Sequence, residues 1–197
     1  MNTKKNSICL SAIARYAVLV LALWVTGGAQ AASVREVLLD EIIDTSAVAF
    51  QGVCTSNRTE RDSITNLAVT YTTFEVKDVI KGNVNATHVI KQIGGVLPAG
   101  EASFRVQGVP KFTVGEEYVV FLAGVSSAGF SSPVGLSQGK FSVQQSAAGK
   151  TVANGTDFRV TTSRMKNVAM PSTGLPASTL GLDAFKQMAR AHASKLP

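Results

Sequence analysis

Ile64-Thr-Asn-Leu-Ala-Val-Thr-Tyr-Thr-Thr-Phe-Glu-Val-Lys-Asp-Val-Ile80 is the stretch on which the fold reading turns. It is rich in Val, Thr, Tyr and Phe, residues that suit a pleated, half-buried surface. Its apolar positions alternate as Leu67, Val69 and Tyr71, then slip to Phe74 and Val76. Side chains of a strand repeat every two residues, so one slip predicts a β-bulge near Thr72-Thr73 that bends the strand. A long, bent strand is what a small closed barrel needs to turn a corner.

The neighbours of this stretch extend the same reading. Upstream, Val48 to Ser56 is β-like, and Asn57-Arg-Thr-Glu-Arg-Asp62 reads as a polar, charged turn. Downstream of the Lys81-Gly82-Asn83 turn, Thr87 to Ile93 is a strand that ends at Gly94-Gly95. A loop with Pro98 and Gly100 leads to Phe104–Val109. Tyr118-Val-Val-Phe-Leu122 is a continuous apolar run of the kind found in buried strands. Lys140–Gln144 and Lys150–Ala153 form a hairpin pattern.

Ahead of the strands, Ser33-Val-Arg-Glu36 has capping-box spacing and precedes Val37, Leu38, Leu39, Ile42 and Ile43, an amphipathic helix of about three turns. Behind them, Leu182, Phe185, Met188, Ala189 and His192 fall at helical spacing. The expected architecture is mainly β: five to seven short strands in a small barrel, flanked by an N-terminal and a C-terminal helix.

The first residues read as an address. Lys4, Lys5 and Arg15 precede the apolar run Tyr16–Val25, and Ala29-Gln-Ala31 supplies an A-x-A site. That is the pattern of a secretory signal peptide, and the run is short of the ~20 residues a permanent bilayer helix needs. The expected organisation is therefore a signal peptide over 1–31, a helix over 32–47, a β-barrel over 48–155, a linker over 156–178 and a helix over 179–197. Cleavage corrects the charge. Three of the 19 Lys and Arg leave with the leader, so 16 against 13 Asp and Glu give +3 in place of +6. A modest, dispersed positive charge does not favour nucleic acid. Cys9 also leaves, so Cys54 stands alone in a strand, where it reads as a small buried hydrophobe.

Three runs carry a resemblance: Val48-Ala-Phe-Gln-Gly-Val-Cys54, Thr73-Phe-Glu-Val-Lys-Asp-Val-Ile-Lys-Gly82, and Phe112-Thr-Val-Gly-Glu-Glu-Tyr-Val-Val-Phe-Leu122. In that order they resemble the netrin-like domain, the OB-fold barrel shared by tissue inhibitors of metalloproteinases. The chain also resembles uncharacterised exported bacterial proteins that carry Gly94-Gly95, Gly108-Val-Pro110 and Val134-Gly-Leu-Ser-Gln-Gly-Lys-Phe141, some of which accompany secreted matrixin-type proteases. The resemblance implies an OB-like barrel over roughly Val48 to Phe141 and a protein partner, with a metalloprotease as the candidate. One departure limits it. The animal inhibitors chelate the protease zinc through an N-terminal cysteine, and this chain has none at Ala32 or Ser33.

The catalytic patterns are thin. Gly135-Leu-Ser137-Gln-Gly139 is a literal G-x-S-x-G, and Asp157 or Asp183 followed by His192 gives the chain order of a hydrolase triad. The pattern needs a strand-to-helix turn, however, and Lys140–Gln144 reads as strand. His88 reads as a strand residue, Gly94-Gly95 lacks the Lys and helix of a phosphate loop, and Glu116-Glu117 diverge as neighbours. No catalytic, cofactor or metal residue is assigned. Tyr71, Phe74, Phe104, Phe112, Tyr118, Phe121 and Phe141 read as core, not as a base-stacking face. The expected function is an exported, non-enzymatic protein-binding module, an inhibitor or accessory of a secreted protease. Its contact surface is expected around Gly94–Gly108 or Gly124–Pro133. The alternatives are a glycan- or envelope-binding module and a serine hydrolase using Ser137. No stable membrane insertion is expected once the leader is removed.

Overall fold

The computed structural model describes residues 37–98, 104–147, 149–154 and 179–195. The leader, the Ser33–Glu36 capping box and the 156–178 linker lie outside these residues. Within them, α1 (Leu39–Thr45) leads into β1 (Val48–Arg61), β2 (Ala68–Lys81), β3 (Thr87–Ile93) and β4 (Glu117–Leu122). A 3-10 turn, Leu136–Gly139, precedes β5 (Lys140–Ser146), β6 (Gly149–Ala153), β7 (Thr179–Gly181) and α2 (Leu182–Ala193). All strand pairs are antiparallel, in the order β3-β2-β1-β4-β5-β6-β7.

The fold is mainly β, but the expected barrel closure is absent: among the described residues, β3 and β7 do not pair. Helices do what closure would have done. Leu39, Ile42 and Ile43 of α1 and Leu182, Phe185 and Met188 of α2 are buried on one face against Val119, Phe121, Phe141 and Val152. Phe185 is 1% exposed and its ring packs on Phe121 and Phe141. Both helices place apolar residues three and four apart, so each has a stripe that must be covered. The opposite face carries a second core of Phe50, Cys54, Phe74, Ile90, Tyr118 and Leu122. β4 feeds both cores, Val119 and Phe121 into one and Tyr118, Val120 and Leu122 into the other. Burial on both faces explains its unbroken apolar run.

The bulges differ from the sequence reading. No residue is skipped in β2 near Thr72-Thr73. The bulge at that point lies in the partner strand, where Thr55 of β1 is unmatched opposite Thr73 and Phe74, and Lys77 and Ile80 are unmatched in β2. The apparent slip arises because both faces of β2 are partly apolar: Val69 and Tyr71 lie on one, and Thr72, Phe74 and Val76 on the other. The two real bulges of β2 bring Ile80 into the helix-side core. The Asn57–Asp62 turn is also corrected. β1 runs on through Arg61, and the chain reverses only over 62–67. Thr179–Gly181, read as the start of the last helix, is instead a short edge strand on β6.

A polar seam seats α2. Lys186 Nζ donates to Gln51 Oε1 at 2.9 Å and to Asp78 Oδ2 at 3.0 Å, and Arg190 bonds the other Asp78 oxygen. Burial pushes the Asp78 carboxyl up, but the two cations outweigh it and hold the group below its ordinary range. His192 Nε2 lies 2.7 Å from Asp44 Oδ1, tying the end of α2 to α1.

Candidate functional site

β1 is 14 residues long, and β4 covers only its first part, from Val48 to Val53. Beyond Cys54 the β1 backbone has β2 as its sole ladder neighbour among the described residues, and β3 continues the sheet on the other side of β2. Residues 94–98 and 104–112 close over this three-stranded extension, joined by the Gly95–Phe104 bridge. A cavity of about 590 Å³ lies between them, within the ~300–1,000 Å³ range of ligand pockets.

The floor is cut from two cross-strand rows. Thr59 of β1, Thr70 of β2 and Gln92 of β3 form one, and Asn57 and Thr72 belong to the next. Four of these five side chains hold the covering segment in place. Thr70 Oγ1 donates to the Gly94 carbonyl at 2.7 Å. A hydroxyl has one proton, so in the 3.1 Å Thr59–Thr70 contact Thr59 is the donor. Thr72 Oγ1 donates to Asn57 Oδ1 at 2.7 Å, and Asn57 Nδ2 donates to the Phe112 carbonyl at 2.7 Å. One pair thus clamps the start of the segment and the other its end. Gly95 is the close approach: a Cβ there would sit 2.4 Å from Thr59 Cγ2 and 2.6 Å from Thr70 Oγ1.

Gln92 has no such task. It is 3% exposed, yet its Nε2 has no hydrogen-bond partner. The walls above it are apolar, from Val96, Val106, Val109, Pro110 and Phe112. Arg105 and Lys111 stand exposed at the rim, and no Asp or Glu is among the described lining residues. Below the Phe112 end, Lys140 Nζ lies 4.7 Å from the Tyr118 ring centre, and burial lowers its pKa.

The residues singled out in the sequence fall elsewhere. Ser137 is exposed on the 3-10 turn, and the element after it is β5, not a helix. The glycines of its motif have structural reasons. Gly135 adopts φ 63°, and a Cβ on Gly139 would meet the Val134 carbonyl oxygen at 2.7 Å. His192 is engaged with Asp44, Asp183 points to solvent beside Lys186, and Asp157 is outside the described residues. His88 packs edge-on against Phe50, and burial lowers its pKa. Cys54 is fully buried, and desolvation raises its thiol pKa, the condition of an inert thiol. Glu117 does not merely solvate a corner: it accepts from Gln51 at 2.6 Å and from Lys150 at 2.7 Å. Of the aromatics, Phe74, Phe112, Tyr118, Phe121 and Phe141 are buried, while Phe104 is 42% exposed and Tyr71 lies under Arg58.

The Gly124–Pro133 loop is pinned to β3. Lys91 Nζ reaches Asp62 Oδ1 at 2.5 Å and the Ala128 carbonyl at 2.8 Å, and the Lys91 carbonyl accepts from Ser131 N. A second depression runs along α2, but its cations Lys186 and Arg190 are already held by Asp78. Among the described residues no cluster of His, Cys, Asp and Glu could hold a metal, and no helix is long and apolar enough to cross a membrane. The chain has no significant match to a protein family, to a curated protein or to a solved structure.

Proposed function

We propose that this chain is an exported, non-enzymatic protein-binding module whose contact face is the cavity under residues 94–98 and 104–112. The candidate partner is a secreted protease, which the module inhibits or accompanies. The observation that carries the reading is the cavity itself: an apolar-walled opening over a polar strand floor, built by one of the two segments expected to form the contact surface. The netrin-like resemblance, with the OB-like kinship it implies, adds the partner class. The glycan alternative draws on the same hydroxyl-rich floor, but those hydroxyls are already committed to holding the loop. The hydrolase alternative would need Ser137 on a strand-to-helix turn, and Ser137 instead lies on a 3-10 turn that leads into β5.

The test places a photo-crosslinking side chain at Val96, at Val109 or at Val125 and irradiates the protein in the exported fraction. Val96 and Val125 are 58% and 70% exposed, so both report freely. The expected result is one discrete protein adduct from Val96 and Val109 and none from Val125. Adducts from Val125 alone would move the contact to the other loop and overturn this assignment. Absence of a protein adduct from all three would sink the protein-binding reading.

A further inference from the structure

We infer that the cavity is a seat for an extended, acidic stretch of polypeptide, one of whose residues pairs its backbone N–H and C=O with the carboxamide of Gln92. The inference rests on the protein-binding reading and names what the partner must present.

It starts from an imbalance in the floor. Buried polar groups in native structures are almost all hydrogen-bonded, so an exception asks for a reason. Asn57, Thr59, Thr70 and Thr72 obey the rule by clamping the two ends of the covering segment. Gln92 sits in the same row as Thr59 and Thr70, 3% exposed, with an enclosed Nε2 that no group satisfies. Its Oε1 accepts nothing from the described residues either. A primary amide offers two donors and an acceptor side by side. The group that answers both at once must show an acceptor and a donor side by side, and one residue of an extended strand does so with its own C=O and N–H. Exchanging the two ends of the carboxamide leaves this argument unchanged.

The rest of the cavity narrows the choice. Its walls are Val96, Val106, Val109, Pro110 and Phe112, which suit aliphatic side chains and offer a sugar no open aromatic platform: Phe112 is 5% exposed. Its rim carries Arg105 and Lys111 with no described acid to neutralise them. Charge complementarity of this kind sets specificity and speeds encounter. An extended strand alternates its side chains, so apolar residues can face the wall while carboxylates between them turn to the rim.

The test uses two capped hexapeptide pools, one with Glu and one with Lys fixed at alternate positions, and Val, Leu, Thr or Ser elsewhere. Each is titrated into the ¹⁵N-labelled full chain, with chitotetraose as a third ligand. The Glu pool is expected to shift the Gln92 side-chain NH₂ signal together with backbone signals of 104–112, and to bind about tenfold more tightly than the Lys pool. Gln92→Met is expected to weaken the Glu pool about tenfold, whereas Gln144→Met, at an exposed position on β5, leaves it unchanged. The paired change Arg105→Gln and Lys111→Gln should erase the preference for Glu. Equal binding of the two pools would overturn the inference. So would shifts from chitotetraose alone, or no shift of the Gln92 signal at millimolar peptide. If those results came with protein crosslinks at Val96 and Val109, the peptide chemistry alone would fail. If the crosslinks were also absent, the protein-binding reading would fail with it.

Discussion

Replacing Gln92 by Met should make the protein more stable. The two side chains have nearly the same length and volume, so the swap leaves the packing of β3 intact. The change falls on the enclosed Nε2, which has left water without gaining a partner. A buried donor in that condition costs about 1–3 kcal/mol, and an apolar replacement of similar shape removes the cost. Because Gln92 lines a cavity and is not sealed in the core, the lower part of that range applies, about 1–2 kcal/mol. For a chain of this size that raises Tm by roughly 2–8 °C. The assay is urea denaturation followed by fluorescence or circular dichroism, where the midpoint should rise with an unchanged slope. Thr72→Val is the matched comparison on the neighbouring strand. Thr72 is 1% exposed and its hydroxyl donates to Asn57 Oδ1. Its loss leaves that clamp acceptor only the weak 4.0 Å contact from the Cys54 thiol and should cost about 1–2 kcal/mol. The two near-isosteric changes in one floor should therefore move stability in opposite directions. If Gln92→Met lowered stability by as much as Thr72→Val, the amide would have a partner in the free protein. The case for a seat awaiting the backbone of a strand residue would then fall.

Packing and charge give three further outcomes. Phe185→Ala removes a ring buried between Phe121 and Phe141 and should cost about 3–5 kcal/mol, read from the urea midpoint; a loss under about 1 kcal/mol would mean that α2 is not part of the core. Lys91 chiefly, and then Thr65, hold the Asp62 carboxyl down to about 2 from a value of 3.8. A depressed folded pKa means that this stabilisation is complete above the unfolded value and is lost as pH falls from about 4 towards about 2. The Tm of the wild type should fall with pH in that window, and Asp62→Asn should make that fall shallower, leaving the share that Asp78 and Glu117 contribute. Ser137→Ala should leave the melt unchanged within about 0.5 kcal/mol, since the side chain is exposed. Gly139→Ala should be clearly destabilising, because a methyl there meets the Val134 backbone; equal behaviour of the two would refute the turn reading of the G-x-S-x-G motif.

Elements are legible in the sequence where apolarity and structure coincide. β3, β4 and the β5–β6 hairpin announce themselves through apolar runs bounded by Gly and charged turns, and α2 through Leu182, Phe185, Met188 and Ala189. The outer half of β1 does not, because its inward residues are Asn57 and Thr59, which clamp a loop and do not fill a core. Polar inward residues look like a turn when only hydropathy is read. Barrel closure is equally hidden: it depends on whether the last strands reach the first, and the helices that cover the sheet remove the need. For Gln92 a signal does exist. His88, Ile90 and Gln92 share one face by the period of two, and Ile90 is core. A glutamine in phase with a buried isoleucine is either satisfied by the protein or reserved for something else. Hydropathy cannot separate the two cases, because what decides them is whether an acceptor meets Nε2, and among the described residues none does. Only the three-dimensional arrangement shows that orphaned donor, and it is this that turns an ordinary strand glutamine into the centre of the candidate site.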